Sequence, residues 1–496
     1  MIHALKLFNS LKREKEDFKP IQEGRIGMYV CGPTVYSDVH LGNCRTFVSF
    51  DIIYRYLLYA GYKVRYVRNI TDVGHLLDDG EDRMSRGARL DQLEPMEVAQ
   101  RYTVGFHDMM QIFNTKAPSI EPRATGHIIE QIKMVEDILA RGYAYEKDGS
   151  VYFNTPKFLE DGYPYGELSG RVIDELLNES RDNLKKQDEK NHPSDFALWI
   201  KASEDHLMRW PSPWSIGFPG WHLECSAMST KYLGERFDIH GGGNDLKFPH
   251  HENEIAQSMG ACGTAPANYW LHTNMLLLNG RKMSKSEGNT ISPTELFSGN
   301  SQHISKGYSP MSVKFFFLQA HYRSPLDITD DALQAAEKGF KRLMETLKVL
   351  DIITLQFNAS ATEKDKEILN TIRESKSHMD DDFNVPNSLA SIFDLISIVN
   401  SLKDGHISSQ EVSQSCWDTL KEHLKTMIFE VFALKNDVEE SSSKSMDGLM
   451  QLILELRADV RERKDWTTAD KIRESLKDAG IQVKDGKEGT SWSYDI

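Results

Sequence analysis

The segment "HLGN" at 40–43 carries side chains suited to binding a nucleotide. It follows an apolar run and opens a helical pattern, and the backbone N–H groups at such a helix start favour an anion. His40 can donate a hydrogen bond to a phosphate oxygen, and Gly42 lets adenine and ribose approach the backbone. A lone His-x-Gly in a loop usually has no such role, so the prediction depends on a second phosphate-binding element.

That second element is "RKMSKSEGNT" at 281–290. Lys282 and Lys285 provide point charges for phosphates among small residues that favour a loop. Two lysines at this spacing are common in solvated basic loops, but the full string is far rarer. Together with the upstream His-x-Gly, it predicts a nucleotide site.

The segment "FPHHENEIAQ" at 248–257 predicts a helix that offers metal ligands. His250 and Glu254 are four residues apart, which puts both side chains on one helix face, as paired ligands require. His251 and Glu252 are expected to point elsewhere. A simple His–Glu hydrogen bond on a helix face is the alternative explanation.

Two cysteines can complete this ligand set. Cys31 ends a predicted strand, and Cys225 lies in "PGWHLECSAMS". Thiolates suit soft metals such as zinc, although ligands scattered over three segments give no compact spacing signature and buried structural thiols remain the alternative. Three further cysteines lack ligand-like neighbours and are predicted to be inert: Cys44, Cys262 and Cys416.

The elements that position these residues form a parallel β–α–β pattern. Residues 26–30 predict a strand, the segment after 40–43 a helix, and 63–71 a second strand. "FDIHGGGNDL" predicts a strand that leads into three glycines, which permit either close approach to a ligand or a tight turn. "NMLLLNG" and "KFFFLQA" are too short to span a membrane and are predicted to be buried strands.

Composition describes an ordinary water-soluble protein of several domains. The 496 residues carry a net charge of −15, so nucleic acid would need a local basic face. No secretory signal or membrane span is predicted, and five sparse cysteines favour a reducing compartment. Residues 387–403 predict a helix, and the charged, Ser-rich segment 435–448 is the best candidate for a linker.

Taken together, these strings resemble the cysteinyl-tRNA synthetases, which are class I aminoacyl-tRNA synthetases. The resemblance runs nearly from end to end. It includes "MYVCGPTVY", "YVRNITDV", "PGWHLECSAMS", "FDIHGGGNDLKFPHHENEIAQS", "GRKMSKSEGN", "DDFNVPNSLA" and "KDWTTADKIRESLKDAGI".

The resemblance implies an α/β Rossmann-type catalytic domain with an inserted connective domain, followed by an α-helical bundle and a small C-terminal anticodon-binding domain. The corresponding ranges are 1–125 and 216–310 for the two catalytic halves, 126–215 for the insertion, 311–434 for the bundle, 435–448 for the linker and 449–496 for the tail.

The resemblance also implies site residues. One Zn²⁺ per chain would bind Cys31, Cys225, His250 and Glu254. The residues expected around the amino-acid pocket are Thr71, Trp221 and His240.

The family's HIGH motif corresponds here to "HLGN", where Asn43 replaces the final histidine and keeps a donor but loses the imidazole. The intact KMSKS motif would contact ATP. The implied catalytic and ATP-binding residues are His40, Gly42, Asn43, Lys282, Ser284 and Lys285.

The implied reaction activates L-cysteine with ATP, for which Mg²⁺ is expected, and transfers it to tRNA(Cys); a cytoplasmic monomer is expected. One alternative is a related ligase that passes activated cysteine to an amino-sugar, which would not need the tail strings present here. Another is a non-catalytic RNA-binding relative, which would be expected to lose phosphate-binding residues, yet His40, Lys282 and Lys285 are all present.

Overall fold

The computed structural model describes residues 4–74, 93–171, 190–283, 288–353, 355–478, 481–486 and 489–494. The chain divides into two units, Met1–Lys435 and Asn436–Ile496. The four residues 284–287, which include Ser284 and Lys285 of the KMSKS motif, lie outside the described residues.

The first unit opens with a hairpin of β1 (Lys6–Asn9) and β2 (Glu14–Asp17) and continues into a parallel sheet. The sheet contains β3 (Arg25–Val30), β4 (Lys63–Arg68), β10 (Phe237–Gly243) and β11 (Ala267–Thr273), in the order β11-β10-β3-β4. Every neighbouring pair is parallel. The carboxyl ends of the strands therefore meet at one edge, where ligands bind in such sheets.

Helix α1 (Leu41–Tyr59) connects β3 to β4, as the sequence predicts. Its apolar face packs in the core through side chains such as Phe47, Phe50 and Leu57. Gly61 follows the helix with φ of +95°, a conformation that glycine adopts without strain.

A second sheet lies between the two halves of the parallel sheet in the sequence. After α2 (Pro95–Ile112) and α3 (Ile128–Ala140) come β5 (Ala144–Lys147), β6 (Ser150–Phe153), α4 (Thr155–Glu160), β7 (Phe196–Lys201), β8 (Trp210–Pro211) and β9 (Ile216–Pro219). The strands form an antiparallel sheet in the order β5-β6-β7-β9-β8 over a separate aromatic core. The exact limits of the predicted insertion, 126–215, stay a prediction.

Helices α5 (Trp221–Leu233) and α6 (His250–Cys262) flank β10, and beyond β11 lie β12 (Leu276–Leu278), β13 (Arg281–Lys282), α7 (Pro293–Ser298), α8 (Pro310–Leu318) and β14 (Leu326–Ile328). The strand prediction for "NMLLLNG" is confirmed by β12. The strand prediction for "KFFFLQA" is wrong, because residues 314–318 belong to α8. Ser309 caps α8 and Pro310 occupies its first turn, and these start signals outweigh the apolar run.

The rest of the first unit is helical: α9 (Asp330–Ile352), α10 (Glu363–Asp380), α11 (Val385–Lys403) and α12 (Gln414–Lys425), followed by a π-helical turn at Thr426–Val431. Among the described residues, α11 alone is long and apolar enough to cross a membrane by length and composition. More than half of its apolar window is buried (56%), as expected for a core helix.

The second unit contains α13 (Asp437–Glu462), α14 (Trp466–Asp478) and a hairpin of β15 (Ile481–Gly486) and β16 (Gly489–Tyr494). The linker prediction for 435–448 stays a prediction, and residues 437–448 form the start of α13. Its serines and charged residues show no apolar periodicity that would indicate this helix.

Arg45 on α1 forms hydrogen bonds with loops of the first unit that are distant in sequence. Its buried guanidinium, 1% exposed, donates to the carbonyl oxygens of Asn274 (3.0 Å), Met275 (2.8 Å), His321 (3.3 Å) and Ser324 (2.5 Å). Burial lowers the pKa of Arg45 to about 10, which leaves it charged at neutral pH. Charged hydrogen bonds to carbonyls therefore compensate this buried cation.

We predict that Arg45→Met destabilises the first unit by about 3 kcal/mol, because buried carbonyl oxygens lose a charged donor. Urea unfolding followed by tryptophan fluorescence measures the change. The matched control is Arg373→Met on the exposed face of α10, which should change stability by less than about 0.5 kcal/mol. Equal stability of the two variants would contradict the role given to Arg45.

Candidate metal centre and active site

Four potential metal ligands meet at the carboxyl edge of the parallel sheet. Cys31 follows the last residue of β3, and Cys225 lies in the second turn of α5. His250 begins α6, and Glu254 lies one turn later on the same face. All four side chains are buried, and one ligand atom from each lies within 4.8 Å of the others.

The distances between these atoms fit a tetrahedral ion. The Sγ atoms of Cys31 and Cys225 are 3.7 Å apart, and Cys31 Sγ lies 3.5 Å from Glu254 Oε1. His250 Nε2 lies 3.4 Å from Cys225 Sγ and 3.2 Å from Glu254 Oε1. Bonds of about 2.3 Å to sulfur and about 2.0–2.2 Å to nitrogen or oxygen separate tetrahedral ligands by roughly 3.4–3.8 Å. The donor set and its spacing therefore suit zinc.

The cluster already holds charge without an ion. Burial raises the pKa of Cys225, but the hydrogen bond from Cys31 and the charge of His250 outweigh it and bring the pKa to about 6. Burial opposes protonation of His250, yet the neighbouring Cys225 thiolate raises its pKa to about 10. For Glu254, the charge of His240 overcomes burial and lowers the pKa to about 2. A thiolate and a carboxylate are thus available as ligands at neutral pH.

A second combination of side chains competes for the same ion. Cys31 and Glu254 also approach His240 and His251 closely enough to form a ligand group. The expectation that His251 points elsewhere is wrong, because its Nε2 lies 3.3 Å from Cys31 Sγ. Its other nitrogen, Nδ1, is 2.8 Å from Nε2 of His272. Helix periodicity does not predict these contacts, because Cys31 after β3 and His272 on β11 belong to elements outside α6.

His240 supports Glu254. Its Nε2 lies 2.8 Å from Glu254 Oε2, a hydrogen-bond distance that is shorter than the roughly 3.4 Å between two ligands of one tetrahedral ion. The His240 ring is buried and stacks on Trp270, with the ring centres 4.4 Å apart. Such a contact orients a ligating carboxylate. We therefore favour the group that contains Cys225 and His250.

His222 supports His250 in a similar way. The Nδ1 atoms of the two rings lie 3.0 Å apart, so the nitrogen of His250 that faces away from Cys225 is also engaged. The ring of Trp221, half-buried at the start of α5, lies 4.5 Å from the His250 ring. Trp221 therefore stands beside the cluster, while the sequence analysis missed His222, its neighbour in "PGWHLECSAMS".

The residues after β4 connect to the cluster through Asn69. Its Oδ1 accepts from the backbone N–H of Gly32 (2.8 Å), and its Nδ2 donates to Thr71 Oγ1 (3.1 Å). Both Asn69 and Thr71 donate to Glu224 Oε1, and burial raises the pKa of Glu224 well above its usual value. The sequence analysis missed Asn69 and Glu224, although Asn69 directly follows a parallel strand and so lies at the binding edge.

His40 caps the start of α1. Its Nδ1 accepts from the backbone N–H of Asn43 at 3.3 Å. A Cβ on Gly42 would lie 3.0 Å from the His40 ring, so glycine lets the ring lie against the helix start. The His40 side chain is exposed, as contact with a nucleotide requires.

Lys282 ends β13 and is exposed. Its carbonyl accepts from Asn289 Nδ2 at 3.2 Å, which ties together the two described ends of the KMSKS segment. Ser284 and Lys285 lie outside the described residues, so their predicted contacts stay predictions.

Comparison with known families covers most of the chain. Residues 17–338 match the family described as "tRNA synthetases class I (C) catalytic domain". Residues 376–434 match the DALR domain, and residues 449–492 match the "Cysteinyl-tRNA ligase anticodon binding domain".

Individual relatives are similar over their full length. Proteins named cysteine–tRNA ligase from Bacteroides thetaiotaomicron and Porphyromonas gingivalis are 49% and 47% identical, each over 99% of both chains. A methionyl-tRNA synthetase from Mycobacterium tuberculosis, solved with methionyl-adenylate, matches with a TM-score of 0.56 at 14% identity, over 83% of this chain and 90% of that one. An Agrobacterium radiobacter K84 LeuRS–tRNA–LeuAMS complex matches with a TM-score of 0.55 at 12% identity, over 84% and 86%. These two structures show likeness of fold.

Two adjacent histidines distinguish the two ligand groups. We predict that His250→Gln loses most of its bound zinc, whereas His251→Gln retains about one equivalent, because only His250 completes the tetrahedral group with both thiolates. Zinc is measured by elemental analysis of protein purified without added metal. The two variants remove the same kind of buried ring from neighbouring positions, so retention by His250→Gln with loss from His251→Gln would select the other group.

Proposed function

The chain belongs to the cysteine–tRNA ligase family of class I aminoacyl-tRNA synthetases, and from this premise we propose how its site selects and activates cysteine. The enzyme joins L-cysteine to tRNA(Cys). The observation that carries the proposal is the buried group of two thiols, an imidazole and a carboxylate at the carboxyl edge of the sheet.

In this proposal, Cys31, Cys225, His250 and Glu254 bind one Zn²⁺ per chain. The bound ion supplies a soft acceptor for the thiolate of substrate cysteine, which the hard, poorly acidic hydroxyl of serine cannot match. A purely apolar pocket distinguishes near-isosteres by only about 10²-fold. The protein's own contribution is to hold the donors at fixed distances, with His240 orienting Glu254 and His222 engaging His250.

The amino-acid pocket is proposed to lie beside this group, between the ends of β3 and β4 and the start of α5. Thr71 and Trp221 reach it from two sides, and His240 acts from beneath through Glu254. A pocket built on strand and helix ends holds the cysteine carboxylate in a defined orientation, which an in-line displacement requires.

The hydrogen bond at the start of α1 supports a phosphate contact by the other nitrogen of His40. Because its Nδ1 accepts from the backbone N–H of Asn43, the neutral ring carries its proton on Nε2. In this proposal, Nε2–H donates to a phosphate oxygen of ATP, and Gly42 and Asn43 contribute the helix start. Asn43 also offers its side-chain amide where the HIGH motif has its final histidine.

The proposed activation step is a phosphoryl substitution. A carboxylate oxygen of cysteine forms a bond to the α-phosphorus of Mg²⁺–ATP, and the bond from that phosphorus to the bridging oxygen breaks, which releases pyrophosphate. Lys282 and Lys285 balance the charge that develops on pyrophosphate, with Ser284 beside them. The terminal ribose hydroxyl of tRNA(Cys) then attacks the carbonyl carbon of cysteinyl-adenylate and displaces AMP.

We propose that the enzyme acts as a monomer in the cytoplasm. All five cysteines are unpaired thiols, which suits a reducing compartment. The presence of the C-terminal unit supports tRNA as the acceptor over an amino-sugar, because a small acceptor needs no separate recognition domain.

Removal of the second unit separates the two half-reactions. We predict that a chain ending at Lys435 retains cysteine-dependent ATP–pyrophosphate exchange within about twofold and loses at least about tenfold in tRNA(Cys) charging, because a compact unit with its own core can fold and act by itself. Circular dichroism checks that the shortened chain is folded. Unchanged charging, or transfer of cysteine to an amino-sugar by the full chain, would contradict tRNA recognition by the tail.

Discrimination against serine tests the metal's role. In Cys225→Ser, a hydroxyl replaces a soft thiolate, so zinc binding and cysteine activation should both fall. Serine activation has no metal–sulfur bond to lose. The ratio of kcat/KM for cysteine to that for serine should therefore shrink by at least about tenfold, because even the loss of a hydrogen-bond partner of a ligand costs about 10–100-fold in metal affinity or activity.

The matched control is Cys416→Ser, which changes another buried thiol far along the sequence in α12 and should leave the ratio unchanged. Zinc content and thermal melting are recorded for both variants. A folded, zinc-depleted Cys225→Ser enzyme with the wild-type ratio would show that the metal is structural and does not recognise the substrate.

A further inference from the structure

A second cleft lies at the opposite edge of the parallel sheet from the metal-ligand group. It has a volume of about 320 Å³ and is formed by the amino ends of β3, β4 and β10, the end of α5 and the turn before β3. The six residues of β3 separate the two edges by about 20 Å. The cleft is therefore a separate site and not an extension of the amino-acid pocket.

Four cations line this cleft: Arg25, Lys63, Arg65 and Arg236. Arg25 and Lys63 are direct partners across β3 and β4, and Arg65 is paired with Gly27 one step along the same face. All four side chains are exposed, and within the described residues none of them forms an ion pair. Like charges opposite each other in a sheet repel, so this arrangement is unfavourable without an anion.

Neutral partners orient two of these arginines and leave their charge uncompensated. Arg65 donates to the carbonyl of Tyr232 at 3.1 Å, and Arg236 donates through Nε to Asn268 Oδ1 at 2.8 Å. The whole chain carries a net charge of −15, so a cluster of four unpaired cations is a local departure from its composition. Pre-oriented guanidinium groups suit the bidentate binding of phosphate.

The lining of the cleft is partly apolar, through Leu233, Val64 and Phe237. Gly27 lies against these side chains, because a Cβ there would be 3.3 Å from Phe237 Cβ and 3.5 Å from Leu233 Cδ2. The one carboxylate in the lining, Asp238, is 4% exposed and accepts from the backbone N–H groups of Ile21 (2.6 Å) and Gly27 (2.7 Å). Its charge is therefore engaged within the wall, where it shapes the turn before β3.

We propose that this cleft binds a nucleoside di- or triphosphate as a second ligand, distinct from the ATP consumed in the reaction. A group of four cations can bind a chain of two or three phosphates more completely than it can bind one phosphate. The apolar walls suit a ribose and a base. The cavity volume falls at the lower end of the range for small-ligand pockets, roughly 300–1,000 Å³. A small ligand is favoured over RNA for two reasons. The site is concave, and it lies at the amino edge of the sheet, whereas the tRNA 3′ end must react at the carboxyl edge.

The test uses the full-length, zinc-loaded enzyme with its active site occupied by a non-hydrolysable cysteinyl-adenylate analogue. GTP is the probe, titrated by calorimetry, because ATP is also a substrate. One molecule of GTP should bind per chain, and Arg25→Gln/Lys63→Gln should weaken binding at least tenfold. This variant should keep normal cysteine activation, because neither residue belongs to the catalytic site.

The matched control, Lys366→Gln/Arg373→Gln, removes the same number of exposed charges from α10 and should leave GTP binding unchanged. Equal weakening by both double variants, or the absence of GTP binding to the blocked wild-type enzyme, would overturn the proposal. Loss of tRNA binding in the cleft variant without any GTP binding would also overturn it in favour of RNA. Inorganic tripolyphosphate binding as tightly as GTP would refute the role of the nucleoside.

Discussion

The site depends on holding four polar side chains together where water is excluded. Cys31, Cys225, His250 and Glu254 come from segments separated by up to 223 positions, and all are buried. Burying such groups without compensation is costly, so charge pairing, hydrogen bonds or a metal must balance it. The thiolate–imidazolium pair and the His240–Glu254 contact provide part of that balance within the protein alone. The parallel sheet makes the arrangement possible because it brings the strand ends to one edge.

The same arrangement explains why the surroundings of the cluster are rich in histidine. His240 contacts Glu254, His222 contacts His250, and His251 connects Cys31 to His272. Burial and neighbouring rings keep the pKa values of His251 and His272 well below normal. Rings that stay neutral can adjust their tautomers to donate or accept, and so support anionic ligands without adding positive charge.

The sequence could predict those parts of this site whose residues lie close together in one element. The four-residue interval between His250 and Glu254 and the strand before Cys31 were visible as patterns, and both elements form as expected. The roles of His251 and Asn69 depend on contacts between elements distant in sequence, which periodicity cannot reveal.

The prediction of the fold also succeeded where a pattern within one element was clear. The β–α–β unit was predictable because its apolar periodicity and its glycine stop agree. The segment 314–318 was misjudged because α8 is buried on all sides, so its sequence does not show the one-sided pattern of a surface helix. The cap at Ser309 and the proline that follows it decided this case.

Helix α1 connects the segment at His40 to the base of the KMSKS segment. It begins beside His40, and five residues after that histidine Arg45 binds the carbonyls that precede β12 and β14. Those strands pair with each other, and β12 also pairs with β13, which ends at Lys282. Charged hydrogen bonds to several carbonyls resist sliding more than apolar packing does, because each has a preferred direction. These contacts therefore fix the base of the KMSKS segment to the helix that begins beside His40.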